Sequence, residues 1–374
     1  LDGVAGVEPQ TETVWRQADR HGVPRLVFVN KLDRTGADFE RCVRDVAKRL
    51  GTRPVPIAVP IIEGDEIVGV VDLVGMREWR YPGDGKTFIQ PVITPIASLS
   101  DNLRSARELV LEACADEDSS VLESIVQGRE IAAATLWQAL RQATIHGRIV
   151  PVLAGAAYIH RGVEPLLDAV VALLPSPRDR GDVEGRAPSS KSPLAALGFK
   201  VTFDDYGQLT FVRVYSGVLE KGMTVLAARG GRTLRVGRLV QLVADTRQEV
   251  TRLEAGEIGA IIGMPLAGGE TICAPDAPVV LEAIRAPEPV VRVAIEATTS
   301  ASREKLGVAL GRMVAADPSL RIESDIETGQ TLLAGMGQLH LEIAAERLRD
   351  EARLLVSLRH PVVVAAHDLV ELGG

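Results

Sequence analysis

Leu26 to Val29 is an unbroken apolar run that stops abruptly at Asn30-Lys31-Leu32-Asp33. A run of this kind predicts a parallel strand covered on both faces. Segments of helical character flank it. Thr11 to His21 reads as a helix that Gly22 can terminate. From about Asp38 to Leu50 the residues Phe39, Val43, Val46 and Leu50 form one stripe, Asp38 can cap the start, and Gly51 ends it. Val55, Ile57, Val59 and Ile61 then alternate as a second strand. Strand, helix, strand is half of a doubly wound α/β unit.

Between about Ile62 and Gly147 the pattern changes. Short strands are predicted at Ile67–Leu73 and around Thr87-Phe88-Ile89, then helices near Asp101–Cys114, Ser119–Gln127 and Glu130–His146. The α/β pattern resumes with Ile149 to Leu153 as a strand and Glu164 to Leu174 as a helix, with Pro165 in its first turn. Residues 62–147 therefore read as a subdomain inserted into an α/β domain spanning 1–174.

Residues 175–193 are rich in Pro, Ser, Gly and charge and read as a linker. From Leu194 to about Pro287 short strands separated by glycine turns predict a small β-barrel, at Ala196–Thr202, Gln208–Tyr215, Thr224–Ala227, Arg235–Val243 and Ile258–Ile262. The last unit, about 288–361, has the order βαββαβ, a ferredoxin-like arrangement. Its final strand is placed at Leu354-Leu355-Val356. The fold class is thus multidomain: α/β, then all-β, then α+β.

Composition narrows the function classes. A net charge of −8 over 374 residues argues against a protein that coats nucleic acid non-specifically. No apolar run is long enough to span a bilayer, so no membrane partner is expected. The three cysteines, Cys42, Cys114 and Cys273, lie in unrelated apolar segments and read as buried thiols. The six histidines form no ligand cluster, so no metal site is predicted.

The candidate chemistry lies at the end of the first strand. In an open α/β sheet, side chains at a strand's carboxyl end point into a ligand crevice. Asp33 can accept two hydrogen bonds, from the ring N–H and exocyclic amine of guanine, a pair adenine does not offer. Lys31 can lay its methylene stem along the base, and Asn30 can brace the loop through its amide. Four residues with one wildcard also arise by chance, and the bland alternative is a strand ending in a polar loop.

The flanks decide between the two. Gly6-Val7-Glu8-Pro9-Gln10-Thr11-Glu12-Thr13-Val14-Trp15-Arg16-Gln17, followed by Val29 to Phe39, closely resembles the bacterial-type translational GTPase elongation factor G. Gln208 to Gly217 resembles the second-domain signature of translation factors. Gly335-Met336-Gly337-Gln338-Leu339-His340-Leu341-Glu342 resembles the hallmark turn of the family's third domain, with Gln338 where Glu is common. The resemblance runs to about residue 361. It implies GTP or GDP with magnesium as cofactor in intact relatives, the ribosome as partner, a monomeric state, a cytoplasmic location, and ribosomal translocation as the role. A ribosome-recycling or ribosome-protection GTPase, or a non-catalytic ribosome-binding remnant, is the alternative. The resemblance also puts a second nucleotide contact at Ala154-Gly155-Ala156-Ala157-Tyr158. There the backbone N–H of Ala157 matches the one that reaches the guanine carbonyl, and Ala156 replaces the family's serine.

The phosphate side has no counterpart in this sequence. A GTPase needs a glycine-rich loop ending in Lys-Ser/Thr. Gly83-Asp84-Gly85-Lys86-Thr87 is the nearest match, but Arg80 stands where the opening glycine belongs, and the segment lies inside the insertion. The family's Asp-Thr-Pro-Gly-His segment, with its water-positioning histidine, is missing too. The expectation is an internal stretch of an elongation factor G, lacking the phosphate-binding half and domains four and five. Residues 362–374 would be a truncated start of the fourth domain or a tail. Such a chain is not expected to bind nucleotide tightly or to hydrolyse GTP alone.

Overall fold

The computed structural model describes residues 1–359 apart from 205–206, 245, 283–285, 287, 298–299, 326–328 and 353–355. The expectations for Leu354-Leu355, for His360-Pro361, for the joint at Pro287 and for the 362–374 segment lie outside the described residues. The chain divides into two compact units, Leu1–Pro175 and Ser176–Gly374.

The first unit is built on a six-stranded sheet. Its strands are β1 (Val27–Val29), β2 (Pro54–Glu63), β3 (Glu66–Asp72), β4 (Arg77–Arg80), β5 (Val92–Pro95) and β6 (Val150–Ala154), in the spatial order β1-β6-β2-β3-β4-β5. β6 lies parallel between β1 and β2, in register Val27↔Val152 and Val29↔Ala154 on one side. All five residues of β6 are buried, as a central strand covered on both faces must be. Leu1–Gly3 runs beside the end of β1: Asn30 N–H donates to Leu1 O at 2.8 Å, and Gly3 N–H to Asn30 O at 2.8 Å.

The helices are α1 (Pro9–Arg20), α2 (Phe39–Leu50), α3 (Asp101–Ala115), α4 (Ser119–Val126), α5 (Ala133–Ile145) and α6 (Val163–Leu173). α2 starts and stops where its sequence says. The Asp38 carboxylate accepts from Arg41 N–H at 2.9 Å, and Gly51 takes the left-handed φ of 61° that closes the helix. Phe39, Cys42 and Val46 form its buried face.

Residues 62–147 do not stand apart from this sheet. β3, β4 and β5 extend it antiparallel from β2, and Val70, Trp79, Val110, Leu136 and Leu140 share one core with Val29, Val46 and Leu153. Inside this segment the strand expected around Thr87-Phe88-Ile89 is irregular chain after a bend, and the strand lies further on, at Val92–Pro95. Gly83 and Gly85 both have positive φ, 78° and 76°, which breaks the extended run that the apolar Phe88-Ile89 pair suggested.

In the second unit the all-β part comprises β7 (Ala195–Asp204), β8 (Gly207–Ser216), β9 (Val218–Glu220), β10 (Thr224–Ala227), β11 (Arg232–Arg235), β12 (Arg238–Val243), β13 (Thr246–Val250), β14 (Arg252–Glu254), β15 (Ile258–Ile262) and β16 (Glu270–Cys273). Eight of them form one antiparallel ladder, β11-β10-β16-β7-β8-β15-β12-β13, and β9 pairs with β14. Ala196, Val212, Leu219, Leu239, Leu253 and Ile272 fill a common interior. The Pro- and Ser-rich stretch before it is anchored to this unit over much of its length. Arg186 donates to Leu194 O at 2.7 Å, Gly217 N–H to Ser189 O at 2.9 Å, and Ser216 Oγ to Pro193 O at 2.7 Å. Composition reveals a missing apolar period, but not these side-chain and backbone ties.

The last part is β17 (Val291–Ala297), α7 (Ser300–Ala316), β18 (Arg321–Ser324), β19 (Thr331–Gly335), α8 (Gln338–Ala352) and β20 (Val356–Arg359). Its antiparallel sheet has the order β18-β19-β17-β20, the ferredoxin-like βαββαβ topology. Leu306, Leu310 and Met313 of α7 and Leu341 and Leu348 of α8 pack on Ile295 and Leu333.

The shared core of the first unit yields a test. Leu140, fully buried on α5, costs about 2–5 kcal/mol when cut to alanine. Trp15, Trp79 and Trp137 all lie in the first unit. Their fluorescence in urea is therefore expected to show one transition, moved to lower concentration in Leu140→Ala. Two separate transitions would mean that 62–147 folds on its own.

Candidate functional site

The site is formed where two parallel strands end side by side. β1 delivers Asn30, Lys31 and Asp33, and β6 delivers Gly155, Ala156 and Ala157. Past the last paired residues, the two loops satisfy each other's backbone groups. Gly155 N–H donates to Val29 O at 3.0 Å, and Leu32 N–H to Gly155 O at 3.2 Å. Gly155 has to be glycine, because a Cβ there would lie 2.4 Å from the Phe28 ring and 2.5 Å from Arg161 O.

One side chain joins the two loops. Asn30 Oδ1 accepts the backbone N–H of Ala157 at 2.8 Å. That amide is the one the resemblance assigned to the guanine carbonyl, so in this structure Asn30 holds it. Lys31 sits at a left-handed φ of 63°, which turns the chain sharply after the strand. Its ammonium lies 2.7 Å from Asp2 Oδ2. Asp33 is exposed, and among the described residues its carboxylate has no hydrogen-bond or ion-pair partner. Ala156 is fully buried and Ala157 is exposed.

Asp2 is the site residue that sequence reasoning missed. Its other oxygen, Oδ1, accepts from Val4 N–H at 2.9 Å and Ala5 N–H at 3.3 Å. The hydrogen bond from Lys31, joined by those two amides, holds its carboxyl well below the usual carboxylate range. Nothing in the sequence alone pairs residue 2 with residue 31.

The β6 loop is compact. Ala156 and Arg161 exchange two backbone hydrogen bonds of 3.0 Å, closing a turn around Ala157, Tyr158, Ile159 and His160. Gly162, at φ 74°, leads into α6, and a Cβ there would meet Ala154 O at 2.4 Å. Gly83-Asp84-Gly85-Lys86-Thr87 lies beside this loop but is no phosphate cradle. It lies between two strands, and Asp84 is occupied by Lys86, through its backbone N–H at 3.1 Å and its ammonium at 3.2 Å. Among the described residues no group of three or more His, Cys, Asp or Glu is placed to hold a metal ion. No helix among them is long and apolar enough to cross a membrane.

Chemically, the arrangement offers a carboxylate unpartnered among the described residues, a lysine stem and small residues side by side at the two strand ends. That set suits a flat heterocycle with adjacent N–H donors.

Comparison with known proteins gives the same assignment over nearly the whole chain. Residues 1–176 match the elongation factor Tu GTP binding domain, 193–274 match elongation factor G domain 2, and 286–360 match elongation factor G domain III. A solved structure from Thermus thermophilus is 32% identical, superimposes with a TM-score of 0.81, and covers 97% of this chain. The chain spans 53% of that protein's length. With a GTPase-type sheet ending in Asn-Lys-Leu-Asp and the two following domains in family order, the chain belongs to the elongation factor G-type translational GTPases.

Proposed function

We propose that this chain supplies the guanine-recognition side and the second and third domains of a factor that acts on the ribosome, with GTP-dependent translocation as the process served. The observation that carries the guanine reading is the Asn30–Ala157 hydrogen bond. It fixes the two strand ends together while Asp33 stays exposed and unpartnered among the described residues. In this reading Asp33 accepts from the guanine ring N–H and exocyclic amine, and Lys31 covers one face of the base. Asn30 holds the Ala156–Ala157 loop, whose amide serves the guanine carbonyl once Asn30 releases or shares it. The same reading divides the chain at 1–174, 194–287 and 288–361, with the last two parts meeting ribosomal RNA or protein. Ribosome recycling and ribosome protection use the same family architecture and remain the alternatives for the process.

GTP or GDP with magnesium is the cofactor this assignment implies. The residues here fit the base end of that nucleotide: Asp33 and Lys31 have the chemistry for guanine, and Gly155 allows the close approach of backbone. They supply the specificity of binding and no step of hydrolysis. Magnesium and the phosphates would supply the charge chemistry of the bond broken.

The contacts available set an affinity. Two charge-assisted hydrogen bonds at Asp33 contribute about 1.5–3 kcal/mol each, against an association cost of roughly 4–15 kcal/mol. Residues 1–374 alone are therefore expected to bind fluorescent GDP weakly, with no saturation at micromolar concentration. Tight, magnesium-dependent binding in that titration would reveal a phosphate site outside this account.

Specificity is the sharper test. In a chimera carrying a relative's phosphate loop, Asp33→Asn should weaken guanine nucleotides and favour xanthine ones. The amide can donate to the second carbonyl of xanthine, which a carboxylate repels. An unchanged preference for guanine contradicts the assignment.

Asp2 gives a test that depends on pH. Its carboxyl is held low in the folded chain, so its stabilising effect is full above the unfolded value of about 4 and fades as pH falls through the folded one. Asp2→Asn should abolish the acid-side part of this dependence and free Lys31, seen as a lysine ammonium resonance that no longer shifts on acidification. A wild-type Lys31 resonance insensitive to acid would show that the pair does not form.

A further inference from the structure

The loop after β6 is held from two sides, and only one of them is the β1 end. Arg161 is 6% exposed, and its Nη2 donates to Gly83 O at 2.6 Å, 78 residues earlier in the chain. Its guanidinium carbon lies 5.5 Å from the centre of the Tyr81 ring. The Tyr81 hydroxyl donates to Glu164 Oε2 at 2.9 Å, and burial, reinforced by Glu164, raises its pKa so that it stays a donor. Two further contacts join the same segments. Phe88 meets the His160 ring edge to face at 5.9 Å, and a Cβ on Gly85 would lie 2.6 Å from Ile159 Cβ.

Arg161 is an expensive choice for a purely structural position. Its Nε is buried without a hydrogen-bond partner, and the carboxylate of Asp84 feels its charge without forming a hydrogen bond or close ion pair with it among the described residues. An apolar side chain would avoid that desolvation. What a guanidinium adds is a directional bond to one carbonyl of the 81–88 loop. The backbone of the same residue closes the turn that contains Ala157.

We propose that Arg161 is a positioning residue for the guanine loop: it ties the Ala156–Arg161 turn to Gly83, so that the segment between β4 and β5 sets where the Ala157 amide stands. This rests on the guanine reading above and extends it, because the nucleotide edge then answers to residues 81–88 as well as to Asn30. A change in that loop, by substitution or by a partner docking on it, is transmitted to the base contact through the buried Arg161 side chain, alongside the Phe88–His160 and Gly85–Ile159 contacts.

Amide hydrogen exchange on the full chain tests this, with Arg161→Met, Arg161→Lys and Gly85→Ala. Arg161→Met keeps the stem and removes the donor, so exchange at Ala156, Ala157 and Arg161 should rise by about tenfold or more while β6 amides at Val152 and Leu153 stay protected. Arg161→Lys, which can still reach a carbonyl, should restore part of the protection. Gly85→Ala acts from the other side and should raise exchange at Ala157 with Arg161 intact. Combined with Arg161→Met it should add little. The tie is overturned if Arg161→Met leaves the loop amides as slow as in wild type. It is equally overturned if Gly85→Ala disturbs only 81–88. Should Arg161→Met unfold the unit, seen as exchange at Val152 and Leu153, the lysine and Gly85 variants decide. Millimolar GDP separates this inference from the guanine reading: failure to slow Ala157 exchange in wild type counts against that reading alone, because the variant effects are read without nucleotide.

Discussion

The first unit turns on what happens where β1 and β6 stop pairing. Within a parallel sheet each backbone group is satisfied by its neighbour; at the carboxyl ends the ladder runs out and the groups must find other partners. Here the Asn30 side chain takes the Ala157 amide, Gly155 exchanges bonds with the β1 end, and Lys31 turns away at positive φ toward Asp2. These ties engage Asn30, Lys31 and Gly155 and leave the Asp33 carboxylate without a partner among the described residues. In the proposed reading Asp33 recognises guanine, a role for which its carboxylate has to remain unclaimed by its neighbours.

That arrangement depends on packing some distance away. β6 carries no polar side chain and is buried at every position, so its register is set by the core rather than by its loop. The core continues without a break into α3 and α5, which lie between residues 62 and 147. Gly155 and Gly162 allow the β6 loop to lie close against Phe28, Ala154 and Arg161, where any side chain would collide. The shape of this loop is therefore a consequence of how tightly the chain can fold back after β6.

Much of this was legible in the residues. The apolar run Leu26 to Val29 and the polar stop after it marked the strand and its end, and Asp38 and Gly51 marked the helix that follows. The βαββαβ order emerged from alternating periods alone. What could not be read were contacts between segments distant in sequence. Nothing near Asp2 predicts Lys31, and nothing near Arg161 predicts Gly83. The segment 175–193 looked free because composition records only the absence of an apolar period, whereas Arg186, Ser189 and Pro193 bind it through polar groups. Thr87 to Ile89 looked like a strand because apolar residues outweighed two glycines at positive φ.

In the proposed reading the ends of β1 and β6 form the guanine edge of a nucleotide site. A crystal structure of the chain grown with millimolar GDP addresses it most directly. The base is expected against Lys31, its ring N–H and exocyclic amine on the Asp33 carboxylate, and its carbonyl beside the Ala157 amide. A base bound elsewhere, or one at this edge that turns away from Asp33, would contradict it.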